Sequence, residues 1–416
     1  MEKNVNESTR YQNTSHRKLE KINIKKYYVR YVFYYFANTF ITGGMIQSFM
    51  LESGITSGQV SVYTAVIQIV QAAAMLLLGP VIEKQKNIVR INADANILLF
   101  PLCICMLVIS IFTGLSPAVK YVLILVSSVI AYISYAVTGI IEYKMPYLII
   151  DMENYGHVVL MAGFCIGLTS MTATALFSFL IRRFDYFNTA AVFLAAGLIM
   201  YLVSAYIGRS YKVINPYDIS SSGDKAKRRD GIFSYGPFRK LLIPNFLRGF
   251  SSGTFALLTT VGYYYKIVDS KTAALMVVIS NIVIMAGCII YARVSERRID
   301  GPLTAVSSMV LCVLMPAMLI GKNTLLFIVL YSVGVFFKNI IDYSCPVICA
   351  AIVDYEHAGE FSSWRIALYM LGAAVSGLVT IPMLGAVGGI MTMLLNGMIF
   401  AVTGICYYSV SRSCQK

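Results

Sequence analysis

Charge is the first thing this chain is short of. Only 13% of its 416 residues are Asp, Glu, Lys or Arg, while 58% are hydrophobic. A soluble domain carries about a quarter charged residues, so a soluble globular fold is excluded. Histidine is nearly absent. The three copies, His16, His157 and His357, fall in the tail or in loops and form no metal or catalytic cluster. The nine cysteines lie almost entirely in apolar stretches without paired spacing near water, which excludes a disulfide framework or a metal site. Cys103, Cys105, Cys345 and Cys349 read as small packing residues. The chain has no phosphate-binding Walker loop, no Gly-x-Ser-x-Gly and no His-Glu-x-x-His. ATP hydrolysis and enzymatic catalysis are therefore not expected, and neither is a cofactor.

Long apolar runs are what remains. They predict twelve spans near 31–51, 58–82, 95–115, 119–141, 158–181, 186–208, 242–265, 272–292, 302–321, 324–350, 365–386 and 389–410. The run 366–411 carries no charge at all. As one helix it would be about 69 Å long, twice a bilayer. It must turn, and Pro382 to Gly389 is the natural place. The tail 1–26 is too polar for a signal peptide, so the first apolar run is expected to stay in the membrane. Neither that tail nor the polar linker 209–240 is expected to bury a core. The expected units are the tail, a six-helix bundle 27–208, the linker, and a second bundle 241–411.

The net charge of +14 suggests nucleic acid, but its distribution does not. With the N-terminus in the cytoplasm, the inner segments hold about 26 Lys and Arg and the outer loops about six. Both termini and the linker are then cytoplasmic. The Lys225–Arg229 run is expected to serve topology and face lipid head groups.

The two halves repeat each other. Residues 142–156 contain Glu142-Tyr-x-x-Pro146 and then Ile150-Asp151-x-Glu153-x-x-Gly156. Asp342-Tyr-x-x-Pro346 and Val353-Asp354-x-Glu356-x-x-Gly359 restate both patterns about 200 residues later. Phe36-x-x-x-Phe40-x-x-Gly43 aligns with Phe246-x-x-x-Phe250-x-x-Gly253. Gly79-Pro-Val-Ile-Glu83-Lys84 parallels Ala292-Arg-Val-Ser-Glu296-Arg297. Three matches in one order indicate parallel repeats about an axis along the membrane normal.

With twelve spans, a basic central linker and a small-x-x-x-acid-base motif after spans 2 and 8, the chain resembles the major facilitator superfamily over nearly all of 27–411. Where that family favours Asp-Arg-Gly in the first copy, this chain has Glu83-Lys84-Gln85. Val353-Asp354-Tyr355-Glu356 is also similar, over a few residues, to the loop after span 10 of glycoside–pentoside–hexuronide:cation symporters. The resemblance implies an all-α integral membrane fold of two pseudo-symmetric six-helix bundles. It also implies a central cavity lined by spans 1, 4, 7 and 10.

Charge inside a bilayer costs about 2.5–3.5 kcal/mol and needs a reason. Arg248, Lys338, Asp342 and Glu142 are such charges, on spans 7, 10 and 4. Polar side chains share single helical faces: Asn245, Arg248 and Ser252; Tyr331, Lys338 and Asp342; Ser128, Tyr135, Thr138 and Glu142; Ser61, Thr64, Gln68 and Gln71. Such stripes face water or other helices, and some simply glue helices together. The expected solute-binding residues are Asn38, Gln68, Tyr135, Asn245, Arg248 and Lys338. Lys338 and Asp342, one turn apart, can also neutralise each other. Glu142 and Asp342 are candidates to carry a proton or ion. Glu83, Lys84, Asp151, Glu296, Arg297, Asp354 and Arg365 are expected at the inner gate as ion pairs between halves.

The expected function is secondary transport of a small polar or anionic organic solute, a sugar or glycoside among the candidates, coupled to H+ or Na+. The expected setting is the cell membrane, with the protein monomeric and surrounded by lipid. An exporter of hydrophobic compounds and a non-transporting sensor or scaffold are the alternatives. A continuous polar cavity holding Arg248 and Asp342 favours transport over a scaffold.

Overall fold

The computed structural model describes residues 2–83, 85, 87–142, 145–214, 236–295, 300–352 and 358–414. Among the described residues, ten helices are long and apolar enough to cross a bilayer. Two more spans are each broken in two, which completes the expected twelve. Span 1 is Glu2–Ile41 with Gly43–Glu52, and span 7 is Gly236–Ala256 with Leu258–Tyr264. The break in span 1 has a backbone cause: Thr42 is extended, and Gly43 takes φ 55°, where a side chain would be strained. The chain is a multi-pass membrane protein.

The remaining spans follow the expected order. They are Ser57–Glu83, then Ile88–Ala95 continued by a tight turn into Phe100–Ile111, Pro117–Glu142, Met152–Leu180 and Tyr186–Arg209. The second half adds Ser270–Ser295, Asp300–Ala317, Thr324–Ile352, Ala358–Val387 and Gly389–Cys414. The chain turns between spans 11 and 12 at Gly388, φ 83°, inside the segment that the length argument required. Pro382 lies inside span 11 without ending it. Spans 6 and 10 start on side-chain caps. Asp185 accepts from the Phe187 and Asn188 amides at 2.9 and 3.2 Å, and Asn323 accepts from the Leu326 amide at 3.1 Å.

Each half has its own core. In the first, Phe40, Phe177 and Phe193 pack ring against ring. In the second, Phe327, Phe400 and Tyr407 are fully buried. The halves meet where span 2 packs on span 11 and span 5 on span 8. At the first of these seams Ser61 donates to the Gly377 carbonyl. Polar backbone acceptors of this kind hold helices together where no hydrophobic effect does.

The polar N-terminal stretch departs from the expected tail. The first helix begins at Glu2 and runs unbroken into span 1. Glu20 and Asn23 are buried, one turn apart and in line with buried Tyr27. Asn23 Nδ2 donates to the Ile149 and Lys212 carbonyls at 3.0 and 2.7 Å, and its Oδ1 accepts from the Lys212 amide at 3.2 Å. Lys26 Nζ donates to the Ser210 carbonyl at 2.7 Å, and the Asp151 amide donates to Glu20 at 2.9 Å. A polar face can be buried here because its partners are the exposed backbone groups at helix ends.

Candidate functional site

A cavity of about 560 Å³ lies between the halves. Arg30 to Thr42 of span 1 line it along about 18 Å of helix. Most of its lining lies on the parts of the spans nearer the end that bears the termini. Its first wall carries Arg30 and is otherwise polar and uncharged: Tyr34, Tyr35, Asn38, Tyr135 and Thr138, with Gln71 and Asn92. Its second wall carries Arg248, Asp342, Arg365 and Tyr369.

Arg248 is 8% exposed. A cation buried that deeply needs a partner, and no acid lies within a turn of it in the sequence. Span 10 supplies one: Arg248 Nη2 donates to Asp342 Oδ1 at 3.1 Å. The other oxygen of Asp342 takes Lys338 Nζ. One carboxylate thus holds two cations. The Arg248 guanidinium also lies 5.0 Å from the Tyr369 ring centroid, a cation–π distance. Its Nε has no hydrogen-bond partner among the described residues.

Backbone packing sets this geometry. A side chain at Gly249 would run into the Tyr369 carbonyl, and one at Gly253 would come within 2.7 Å of the Ala373 backbone. Bare backbone on span 7 lets span 11 approach until Tyr369 covers Arg248.

Across the cavity, Asn38 Oδ1 accepts from the hydroxyls of Tyr135 and of Tyr201, the latter at 3.4 Å. Two donors on the oxygen fix the amide's orientation and leave its Nδ2 as a donor.

The predicted site residues divide. Asn38, Tyr135, Arg248 and Asp342 come together at the cavity. Lys338 stands behind Asp342 as its second cation. Asn245 does not line the cavity. It accepts from Tyr407 at 2.9 Å and donates to the Leu241 carbonyl, joining span 7 to span 12. Gln68 is also outside it, and Gln71 from the same stripe is inside. Tyr331 stacks on Phe255 and Ser128 meets Tyr63, so both serve packing.

Of the gate residues, Lys84, Glu296, Arg297 and Asp354 lie outside the described residues. Glu83 and Glu142 end spans 2 and 4, and their side chains also lie outside the described residues. Asp151 meets His16 at 3.5 Å and Glu20 through its amide, both in its own half. Arg365 lines the cavity. Arg30, Tyr34, Tyr35 and Tyr369 were not singled out in the sequence. The signal for Tyr369 was its spacing four residues after Arg365.

At the end opposite the termini the halves interlock. Gln47 Nε2 donates to the Ala256 carbonyl at 3.2 Å, and its Oε1 accepts from Thr260 at 2.9 Å. Ser48 and Tyr263 share a hydrogen bond of 3.0 Å. Gly44 allows the approach, since a side chain there would press on Thr259 at 3.2 Å.

No sequence-family model matches the chain, and no curated protein sequence matches it. Solved structures do. A D-xylose–proton symporter superposes with a TM-score of 0.71 at 12% identity, over 92% of this chain and 96% of its own. A nucleoside transporter gives 0.64 at 14% identity, over 95% and 100%. A bacterial homologue of the human lysosomal transporter Spinster, in an inward-facing and unoccupied conformation, gives 0.65 at 9% identity, over 95% and 98%. Two similar halves, a cavity between them and these superpositions lead to one conclusion: the chain has the major facilitator fold.

Proposed function

We propose that this protein is a secondary transporter that moves a small polar or anionic organic solute by alternating access. The observation that carries the reading is the 560 Å³ cavity between the halves, with the Arg248–Asp342 pair on its wall and Lys338 behind it. Such a volume suits a small molecule. A sensor or scaffold has no need to keep charged groups beside an open space, because burying them costs energy that packing would avoid. D-xylose and nucleosides, for which two of the structural neighbours are named, are polar, which supports a polar solute over a hydrophobic one.

The positive-inside asymmetry puts the termini in the cytoplasm of a cell membrane. On that orientation the cavity belongs to the inner half, and the Gln47–Thr260 and Ser48–Tyr263 bonds close the outer end. The structure then corresponds to an inward-facing state. Rocking of 27–208 against 241–411 would break those bonds and expose the cavity outside. Asp342 is the coupling group: a carboxylate shared by two cations can exchange one of them for a proton or another cation. The gate assignments for Glu83, Lys84, Asp151, Glu296, Arg297 and Asp354 stand as part of this proposal.

The test is uptake into proteoliposomes holding the full chain, with imposed H+ and Na+ gradients. Accumulation of a solute driven by one gradient, and lost in Asp342→Asn, is the expected result. If accumulation from a broad solute panel never exceeds that of empty liposomes, transport is ruled out.

A further inference from the structure

We infer that the solute is an organic anion, and that Arg365 is the residue that takes its anionic group. This rests on the transport reading above and names the substrate class of the same cavity. The cavity is positive. Three arginines line it, Arg30, Arg248 and Arg365, against the one carboxylate of Asp342, which also takes Lys338 from behind; the lining keeps an excess of two positive charges among the described residues. The wall facing Arg248 and Arg365 offers hydroxyls and amides: Asn38, Tyr135 and Thr138.

Arg365 differs from the other cations here. Arg248 and Lys338 are both held by Asp342, and Arg30 is turned to the Met145 sulfur and the Tyr211 ring. Arg365 has no ion-pair or hydrogen-bond partner among the described residues, and it lines the cavity. Its guanidinium offers five donors in a planar fork that matches a carboxylate or phosphate. A second observation points the same way. Arg248 stands on the same wall, and the carboxylate it shares with Lys338 cannot neutralise both, so net positive charge lies beside Arg365. Asn38 Nδ2 and the tyrosyl hydroxyls then meet the uncharged body across the cavity. An orientation follows: the anionic group lies toward spans 7 and 11, and the body toward spans 1 and 4. Arg365 is thereby moved from the inner gate to the solute.

The chain's single tryptophan, Trp364, adjoins Arg365 and is a built-in reporter of binding there. The test uses the full-length protein with probe pairs alike in body and different in charge: gluconate with glucose, phenylacetate with phenylacetamide, and glycerol 3-phosphate with glycerol. Uptake into proteoliposomes and Trp364 fluorescence in detergent are read together. At least one anion should be carried ten times faster than its neutral twin and should change the fluorescence saturably. Arg365→Gln should raise its half-saturation at least tenfold. Arg365→Lys should restore part of that loss, which a merely structural role would not do. Thermal unfolding of both variants shows whether they fold. Neutral twins carried as well as the acids would overturn the anion assignment and leave transport standing. An unchanged half-saturation in a folded Arg365→Gln would overturn the role of Arg365. Saturable anion binding without uptake of any probe keeps the anion site and counts against transport. No fluorescence response to any anion overturns the site.

Discussion

Asp342 holds two cations with one carboxylate, so its loss cannot be a local matter. Asp342→Asn leaves Arg248, which is 8% exposed, facing Lys338 with no charge between them. Breaking a buried pair from one side costs about 3–5 kcal/mol, because the remaining charge stays desolvated. Asp342→Asn should therefore lower stability by about 3 kcal/mol. Lys338→Met, which leaves the Arg248–Asp342 pair in place, should cost about 1 kcal/mol or less. Thermal unfolding in detergent compares them, and equal losses would contradict the shared-carboxylate arrangement. Half of this cluster was legible in the sequence. Lys338 and Asp342 stand one turn apart on one helix, so their pairing follows from spacing. The Arg248 contact joins residues 94 positions apart, and spacing says nothing about that. Only the absence of a local acid showed that a partner had to come from elsewhere. Asn245 marks the opposite limit. It shares a helical face with Arg248, yet at its place one turn nearer the start of span 7 that face meets span 12, where Tyr407 donates to it.

At the scale of a helix, the first element reaches beyond the membrane to do structural work. The stretch before residue 27 reads as a polar tail because hydropathy measures only what lipid or a core can bury. Asn23 is instead buried against carbonyls at the ends of other helices, a pattern that hydropathy scores as loop. Asn23→Ala removes three hydrogen bonds and strands two carbonyls and an amide. At about 1 kcal/mol each, the loss should be about 2–3 kcal/mol. Asn23→Asp keeps the acceptor for the Lys212 amide and loses the donors, so it should recover only part of that. If Asn23→Ala unfolds at the wild-type temperature, the N-terminal helix is not a strut. Spans 7 and 11 make the complementary case. Their approach depends on Gly249, where any side chain meets the Tyr369 carbonyl. Gly249→Ala should cost about 1–3 kcal/mol through overpacking. It should also shift the Trp364 emission, because span 11 must move away from Arg248. A destabilised variant with unchanged emission would place the strain elsewhere. The Phe-x-x-x-Phe-x-x-Gly repeat marked Gly253 in the sequence, while the need for Gly249 appears only when span 11 is in place.

For the whole molecule, the duplicated sequence foretold two halves and twelve spans but not which end they close at. The residues that close the far end are Gln47, Ser48, Thr260 and Tyr263, single polar groups in apolar runs. Nothing in their spacing separates them from helix-packing residues, since the two partners come from different halves. They do have a countable energy. Gln47 makes two bonds across the interface and Ser48 makes one, each worth about 1 kcal/mol net. If the halves rock between two states, those bonds exist only while the far end is closed. Removing them in Gln47→Ala/Ser48→Ala should shift the equilibrium toward the far-open state by about 3 kcal/mol, roughly a hundredfold in population. Neither residue lines the cavity, so solute contacts are left as they were. The shift can be read as a distance. Spin labels at Thr56, just before span 2, and Lys271, in the first turn of span 8, on a background with the nine cysteines replaced, report how far the far ends of the two halves stand apart. In the parent protein the short separation should dominate. In the double variant a longer one should appear and grow, while labels on two spans within one half keep their spacing. A distribution unchanged between parent and variant would mean that the tight packing of span 2 on span 11, where Ser61 reaches the Gly377 carbonyl, holds the far end shut without help from Gln47 and Ser48.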